Sequence, residues 1–247
     1  MNGGKIFMNT IQTISNFFDL RKQEKHYNNV KAIPSDLSDD RKLDWIINQS
    51  NITTLSLDVE MPYREMYKEA ASLLPEFYAH RTDGESHKGW KSLVLHGRGK
   101  HITQGDDQYP NLDKLPDMHW TEIADKCPVT TNFFKNILPL DQYLRVRFML
   151  LEPGGYILPH RDNNKNILQA FNFALNNPDD CFFGMEGTGL VPWQPGDSRI
   201  INISTNHAVW NNSNTPRIHM IAHGWAKNKY KEFRDCVIKS YNKLITS

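Results

Sequence analysis

The sequence has few cysteines and no long apolar run. Its three cysteines, Cys127, Cys181 and Cys236, are widely spaced and form no Cys-x-x-Cys pair, so a disulfide framework is not expected. No window approaches the roughly 18 uninterrupted apolar residues that cross a bilayer. Residues 1–20 contain no basic start followed by a long apolar stretch, which argues against secretion. We therefore expect a soluble, cytoplasmic protein that does not associate with membranes.

An excess of charge of either sign is also absent. The formal net charge is +1 over 247 residues, so bulk electrostatics do not favour nucleic acid or an anionic membrane surface as a partner. Apolar residues make up 39% and charged residues 23%, which is ordinary for a globular chain with a sizeable core. We expect one main domain over residues 51–247, preceded by a partly helical N-terminal extension over residues 1–50. The sequence does not indicate an oligomeric state.

The first half of the chain contains the clearest helical pattern. Apolar residues recur at spacings of three and four after Pro62 and predict a helix that contains Tyr63, Met66, Tyr67, Ala70, Leu73, Leu74, Phe77 and Tyr78. Shorter helices are predicted at 43–47 and 129–137, and a closing helix at 230–244. Strand patterns occur at 52–59 and 89–97, and residues 101–117 have the composition of a loop.

From Leu144 onward the chain changes to short β runs separated by Gly, Pro and Asn. Eight candidate strands cover 144–151, 156–160, 167–175, 181–185, 189–193, 198–203, 207–210 and 217–224. Short antiparallel strands with regular turn signals predict a mainly β fold, a jelly roll or double-stranded β-helix, with helices on its flanks.

The strongest chemical signal is a His-x-Asp pair followed by a distant His and Arg. His160 and Asp162 leave the same face of an extended backbone, and His207 can close a metal site between them. Two imidazoles and one carboxylate form the facial triad of non-haem Fe(II) oxygenases, which leaves positions open for a co-substrate and O₂. Arg217, ten residues beyond His207, can bind a carboxylate through two parallel hydrogen bonds, as 2-oxoglutarate requires.

Four passages of the chain are similar to passages in a known family. They are Gly89-Trp90-Lys91-Ser92-Leu93, Cys127-Pro128-Val129-Thr130, Glu152-Pro153-Gly154-Gly155 running into Pro159-His160-Arg161-Asp162, and Pro195-Gly196-Asp197 running through His207-Ala208-Val209-Trp210-Asn211 to Arg217-Ile218. They resemble the Fe(II)/2-oxoglutarate dioxygenases of the aspartyl/asparaginyl β-hydroxylase type, over about residues 55–226.

This resemblance implies a double-stranded β-helix core, iron held by His160, Asp162 and His207, and 2-oxoglutarate held by Arg217. The vertebrate β-hydroxylases of the family lack the carboxylate of the first ligand pair, whereas Asp162 is present here, as in the family's bacterial small-molecule branch. The family commonly places a second Arg on the strand after the His-x-Asp loop. The nearest position here is Gln169, which we take as a second contact to the co-substrate.

Other polar residues near these positions have two interpretations. Arg145 and Arg147 alternate with apolar residues, so they either bind a substrate carboxylate or coat a solvated face of the sheet. His219 and His223 share a strand face with Arg217 and are either part of a basic site or hydrogen-bonded structural histidines.

We expect a hydroxylase that acts on an amino acid, on peptidyl Asp/Asn or on a related small carboxylic acid and releases succinate and CO₂. Its cofactors are Fe(II), 2-oxoglutarate and O₂, and its partner is a small-molecule or peptide substrate. The alternative from another class is a non-catalytic cupin-like module that binds a metal or small ligand as a sensor.

Overall fold

The structure is a computed structural model that describes residues 30–102, 117–162, 165 and 167–246. The predicted N-terminal extension lies outside the described residues up to position 29, and so does most of the loop predicted at 101–117. None of the helices in the described part of the chain has the length and apolar character needed to cross a bilayer.

Short helices flank a set of mostly short strands. The helices are α1 (Asp39–Asn48), α2 (Tyr63–Ser72), α3 (Glu122–Lys126), α4 (Pro128–Asn132) and α5 (Tyr230–Thr246), with a 3₁₀ turn at Leu74–Glu76 and a π-helical turn at Phe133–Ile137. The strands are β1 (Thr54–Ser56), β2 (Tyr78–Ala79), β3 (His87–Gly97), β4 (His119–Trp120), β5 (Gln142–His160), β6 (Ala170–Ala174), β7 (Cys181–Met185), β8 (Gly189–Leu190), β9 (Ser198–Ile201), β10 (His207–Asn211) and β11 (Arg217–Trp225).

Strand β5 connects the two halves of a curled antiparallel sheet. Its first part pairs with β11, its last part pairs with β10, and β3 runs along much of its other edge. The sheet continues through β11, β6, β9 and β1 on one side and through β10, β7 and β8 on the other. This arrangement is a jelly roll, or double-stranded β-helix, with flanking helices, which confirms the predicted fold class.

Two predicted strands, 144–151 and 156–160, are in fact one. The sequence Pro153-Gly154-Gly155 indicated a turn, but β5 bends there and continues to His160. Gly154 has a φ of +70°, which residues with a side chain rarely adopt. A Cβ on Gly155 would lie 2.8 Å from the carbonyl oxygen of Glu152 and 2.9 Å from that of Lys88. The glycines therefore allow one strand to pass from one half of the sheet to the other.

The first half of the chain differs from its prediction at several boundaries. The helix after Pro62 ends at Ser72 and not at Tyr78, because Pro75 has no backbone N–H for a continuing helix. Strand β1 keeps three of the eight residues predicted at 52–59 and lies at the sheet edge. Helix α3 and strand β4 were not predicted, since five and two residues are too short for a periodic signal.

Buried apolar residues of the described chain form three clusters, of which the two largest lie as layers on opposite faces of the sheet. The larger layer packs between the helices and the sheet and includes Phe133, Phe134, Phe148 and Phe173, all fully buried. The smaller layer lies between the two halves of the sheet and includes Leu151, Ala174, Phe183, Met185, Val191, Trp193, Ile201 and Val209.

The first described helix packs against the last one. Trp45 of α1 meets Tyr241 of α5 edge-on, with ring centroids 5.7 Å apart, and Asp40 forms an ion pair with Arg234 at 2.9 Å. Leu43 and Ile46 are buried in the larger apolar layer. The domain boundary placed between residues 50 and 51 stays a prediction.

We expect Gly155→Ala to destabilise the protein by about 1–3 kcal/mol, because the added methyl overpacks two backbone carbonyls that cannot move independently. Gly84→Ala is the matched control, since a Cβ there meets nothing closer than 4.0 Å. Its free energy of unfolding should change by less than about 1 kcal/mol. Urea unfolding of both variants tests this, and equal stability would contradict the role given to the bend.

Candidate active site

The three predicted metal ligands converge at one end of the inner face. The Nε2 atom of His160 lies 3.5 Å from Oδ1 of Asp162, and Nε2 of His207 lies 3.8 Å from Oδ2 of the same carboxylate. One ligand atom from each residue lies within 4.8 Å of the others. Two imidazoles and a carboxylate at this spacing can hold a single metal ion.

Strand pairing explains why these side chains meet. His160 ends β5 directly opposite His207, which begins β10, and the two rings are 4.3 Å apart. The backbone N–H of Asp162 donates to the carbonyl of Ile203 at 3.0 Å, which holds the chain beyond β5 close to the end of β9. Asp162 therefore lies on the same side of the backbone as the two histidines.

Backbone hydrogen bonds set the tautomer of both histidines. Nδ1 of His160 is 2.9 Å from the carbonyl of Leu158, and Nδ1 of His207 is 2.9 Å from the carbonyl of Thr205. A carbonyl can only accept, so each Nδ1 carries the hydrogen and each Nε2 presents a lone pair towards Asp162. Burial, followed by the neighbouring His160, lowers the pKa of His207, which favours the neutral form that binds metals.

The cluster opens into a cavity of about 360 Å³ on the inner face of the sheet. Arg217 at the start of β11 lines this cavity and is buried. Its Nη2 donates to Nδ1 of His219 at 2.7 Å, and its Nε has no hydrogen-bond partner among the described residues. Burial lowers the pKa of Arg217 to about 10, so the guanidinium still carries its charge at neutral pH.

His219 orients Arg217 without competing for its charge. Burial, and then the charge of Arg217, hold the pKa of His219 well below its usual range. The neutral ring accepts one N–H of the guanidinium through Nδ1 and leaves the other donors available. No carboxylate in the described part of the chain pairs with Arg217, so a buried cation faces a cavity in which a ligand carboxylate would satisfy it.

Gln169 lies in the wall of the same cavity, and its Nε2 donates to the carbonyl of Lys165 at 3.3 Å. Its contact with a co-substrate stays a prediction. His80 and Arg81 also line the cavity, and no sequence pattern predicts this because they follow a strand of only two residues.

Fe(II) and 2-oxoglutarate, the two groups that the family resemblance implies, both fit this site. The donor set of His160, Asp162 and His207 matches the ligand preference of Fe(II), and three ligands leave coordination positions for a chelating co-substrate. The buried Arg217 matches the distal carboxylate of 2-oxoglutarate.

The sequence matches the profile of the aspartyl/asparaginyl β-hydroxylase family over residues 58–227. This range includes His160, Asp162, His207 and Arg217. The chain belongs to this family. Membership confirms the resemblance and identifies the protein as an Fe(II)- and 2-oxoglutarate-dependent dioxygenase. No curated protein matches the sequence.

Several solved structures are similar to this β-hydroxylase family member at low identity. A Pseudomonas putida prolyl-4-hydroxylase matches 77% of this chain and 100% of its own, with 13% identity and a TM-score of 0.40. A viral collagen prolyl hydroxylase from Paramecium Bursaria Chlorella virus-1, in a 2-oxoglutarate complex, matches 71% and 97%, with 14% identity and a TM-score of 0.40. A Trichoplax adhaerens prolyl hydroxylase in complex with a hypoxia inducible factor peptide fragment matches 86% and 94%, with 12% identity and a TM-score of 0.42.

We expect Asp162→Ala to lower the affinity for Mn(II) at least about tenfold. Removal of a residue that only hydrogen-bonds to a metal ligand already lowers metal affinity about 10- to 100-fold, and removal of a ligand should lower it no less. Calorimetric titration of the metal-free protein measures this. The control is Asp125→Ala, which removes an exposed carboxylate on α3 that is not in the cluster and does not line the cavity. Equal Mn(II) affinity in both variants would exclude Asp162 as a ligand.

Proposed function

We propose that the protein is a hydroxylase in which His160, Asp162 and His207 hold Fe(II) and Arg217 binds the distal carboxylate of 2-oxoglutarate. Its substrate is an amino acid, peptidyl Asp/Asn or a related small carboxylic acid. The observation that supports this best is the His-Asp-His cluster in the same cavity as a buried arginine whose charge no described carboxylate neutralises.

Each residue has a distinct part in this chemistry. When bound, Fe(II) supplies the activation of O₂ that converts substrate, 2-oxoglutarate and O₂ into hydroxylated substrate, succinate and CO₂. The two histidines and Asp162 would hold the metal at the edge of the cavity that they line. Arg217, oriented by His219, would bind the distal carboxylate of 2-oxoglutarate in the same cavity.

Apolar side chains around the cluster limit the access of water. Ile157, Phe183 and Val209 line the cavity, and the ring of Phe183 stacks on His207 with centroids 5.8 Å apart. The side chain of Asp162 is 45% exposed, whereas that of His207 is 8% exposed, so the cluster faces solvent on the side of Asp162. A substrate that enters there covers the open side and separates the reacting groups from water.

We expect Arg217→Met to raise the KM for 2-oxoglutarate about 10- to 100-fold, because it removes a buried hydrogen bond between charged groups. Arg217→Lys should recover only part of this loss, since an ammonium cannot form two parallel bonds. The measurement is the succinate release rate against co-substrate concentration. Arg41→Met, at an exposed arginine outside the cavity, should leave the KM at the parent value.

A screen that follows succinate release across amino acids and short peptides tests the proposed function. A substrate that raises succinate release and gains one oxygen atom by mass supports hydroxylation. If the protein binds Fe(II) and 2-oxoglutarate but forms no succinate above the blank with any candidate, the proposal falls and a non-catalytic sensor explains the site.

A further inference from the structure

The carboxylate of Glu186 joins two segments of the chain that carry the predicted metal ligands. Its Oε2 accepts a hydrogen bond from Nδ2 of Asn206 at 2.8 Å and another from Nη2 of Arg161 at 3.4 Å. Asn206 directly precedes the ligand His207, and Arg161 lies between the other two ligands. We refer to these two contacts of Glu186 as the carboxylate bridge.

Strand order explains why one carboxylate can contact both segments. Strand β10 lies between β5 and β7 in the sheet. Glu186 is the first residue after β7, and its backbone N–H donates to the carbonyl of Asn206 at 2.8 Å, which extends the pairing of β7 with β10 by one residue. Arg161 is the first residue after β5. The carboxylate bridge therefore joins the ends of all three strands beside the metal cluster.

The pairing of β5 with β10 is irregular at this end of the sheet. The step from His207 to Val209 on β10 corresponds to the longer step from His160 to Ile157 on β5, as in a β-bulge, which locally disrupts a ladder. Beyond the bulge, the described part of β5 pairs with β10 only through His160 and His207. Contacts outside the ladder are therefore needed to fix the distance between the ligand segments.

The carboxylate bridge is exposed, so it should contribute little to folding. The side chains of Arg161 and Glu186 are 56% and 50% exposed, and ion pairs with this exposure contribute little to stability. Neither residue is among the described residues that line the cavity. The bridge differs from other exposed pairs because both partners of its carboxylate are chain neighbours of metal ligands. A contact in this position can affect metal affinity even when it has little effect on folding.

We propose that Glu186 is a positioning residue that holds residues 160–162, and with them Asp162, at the distance from His207 that a single metal ion requires. This assignment rests on the proposed function, because the bridge matters for activity only if the cluster binds the metal. Glu186 acts through Arg161 and Asn206 and contacts neither metal nor substrate.

Calorimetric titration of Mn(II) into the metal-free protein tests the carboxylate bridge. We expect Glu186→Ala and Arg161→Met each to lower the Mn(II) affinity about two- to fivefold, which is the size of effect that an exposed pair can provide. The loss should be smaller than for a residue bonded directly to a metal ligand. Urea unfolding of the metal-free variants should have the parent midpoint. A lower midpoint with parent affinity would indicate a purely structural contact and overturn the proposal.

The two variants also separate positioning from simple attraction between charges. Attraction alone predicts that loss of the Glu186 carboxylate weakens the binding of a divalent cation and that loss of the Arg161 guanidinium strengthens it. The carboxylate bridge predicts weaker binding in both cases. Glu186→Gln keeps an oxygen that can accept from both partners, so it should bind Mn(II) more tightly than Glu186→Ala. Tighter binding by Arg161→Met than by the parent would overturn the proposal.

Asp40→Ala is the matched control, because it removes an exposed carboxylate that pairs with Arg234 at 2.9 Å, outside the cluster and the cavity. It should keep the parent Mn(II) affinity. A double-mutant cycle connects the bridge to a ligand: in the Asp162→Ala background, Glu186→Ala should cause a smaller loss than in the parent. A loss of the same size in both backgrounds would show that Glu186 acts independently of Asp162, contrary to the proposal.

Failure of the carboxylate bridge can be distinguished from failure of the proposed function. If Asp162→Ala weakens Mn(II) binding while the Glu186 and Arg161 variants bind as the parent does, the bridge is overturned and the metal cluster stands. If the parent protein binds no Mn(II), the metal cluster and the proposed function fail together with the bridge.

Discussion

The pairing of His160 with His207 across β5 and β10 is the constraint on which the site depends. Because these residues face each other at the ends of their strands, their rings lie 4.3 Å apart before any ligand is considered. Two backbone carbonyls then direct both Nε2 atoms towards Asp162. The sheet therefore fixes the two histidines of the cluster, and the hydrogen bond from Asp162 to Ile203 holds the third residue, which lies just beyond β5.

The cavity contains buried arginines, and the burial of their charged side chains is energetically unfavourable. Arg147 and Arg217 are 6% and 7% exposed, and taking a guanidinium out of water is unfavourable. The fold tolerates them because the strands that carry them are fixed by pairing on both sides. A co-substrate that brings a carboxylate to Arg217 recovers part of this cost, so its binding should stabilise the folded state.

The fold class and the proximity of His160, Asp162 and His207 could be predicted, because the β runs are local patterns and the three residues match the motif of a known family. His-x-Asp at a strand end and short β runs with turn signals can be recognised without coordinates. The continuity of β5 could not be predicted, because Pro153-Gly154-Gly155 is as typical of a turn as of a bend within a strand. The inward direction of Arg147 depended on which face of β5 the helices cover, and that is a tertiary contact.

A crystal structure of the protein with Mn(II) and 2-oxoglutarate tests the central claim most directly. The account predicts a metal bonded to Nε2 of His160, Nε2 of His207 and a carboxylate oxygen of Asp162, with the distal carboxylate of the co-substrate on Arg217. A metal bound through Nδ1 or outside this cluster would contradict it. So would a distal carboxylate that does not contact Arg217.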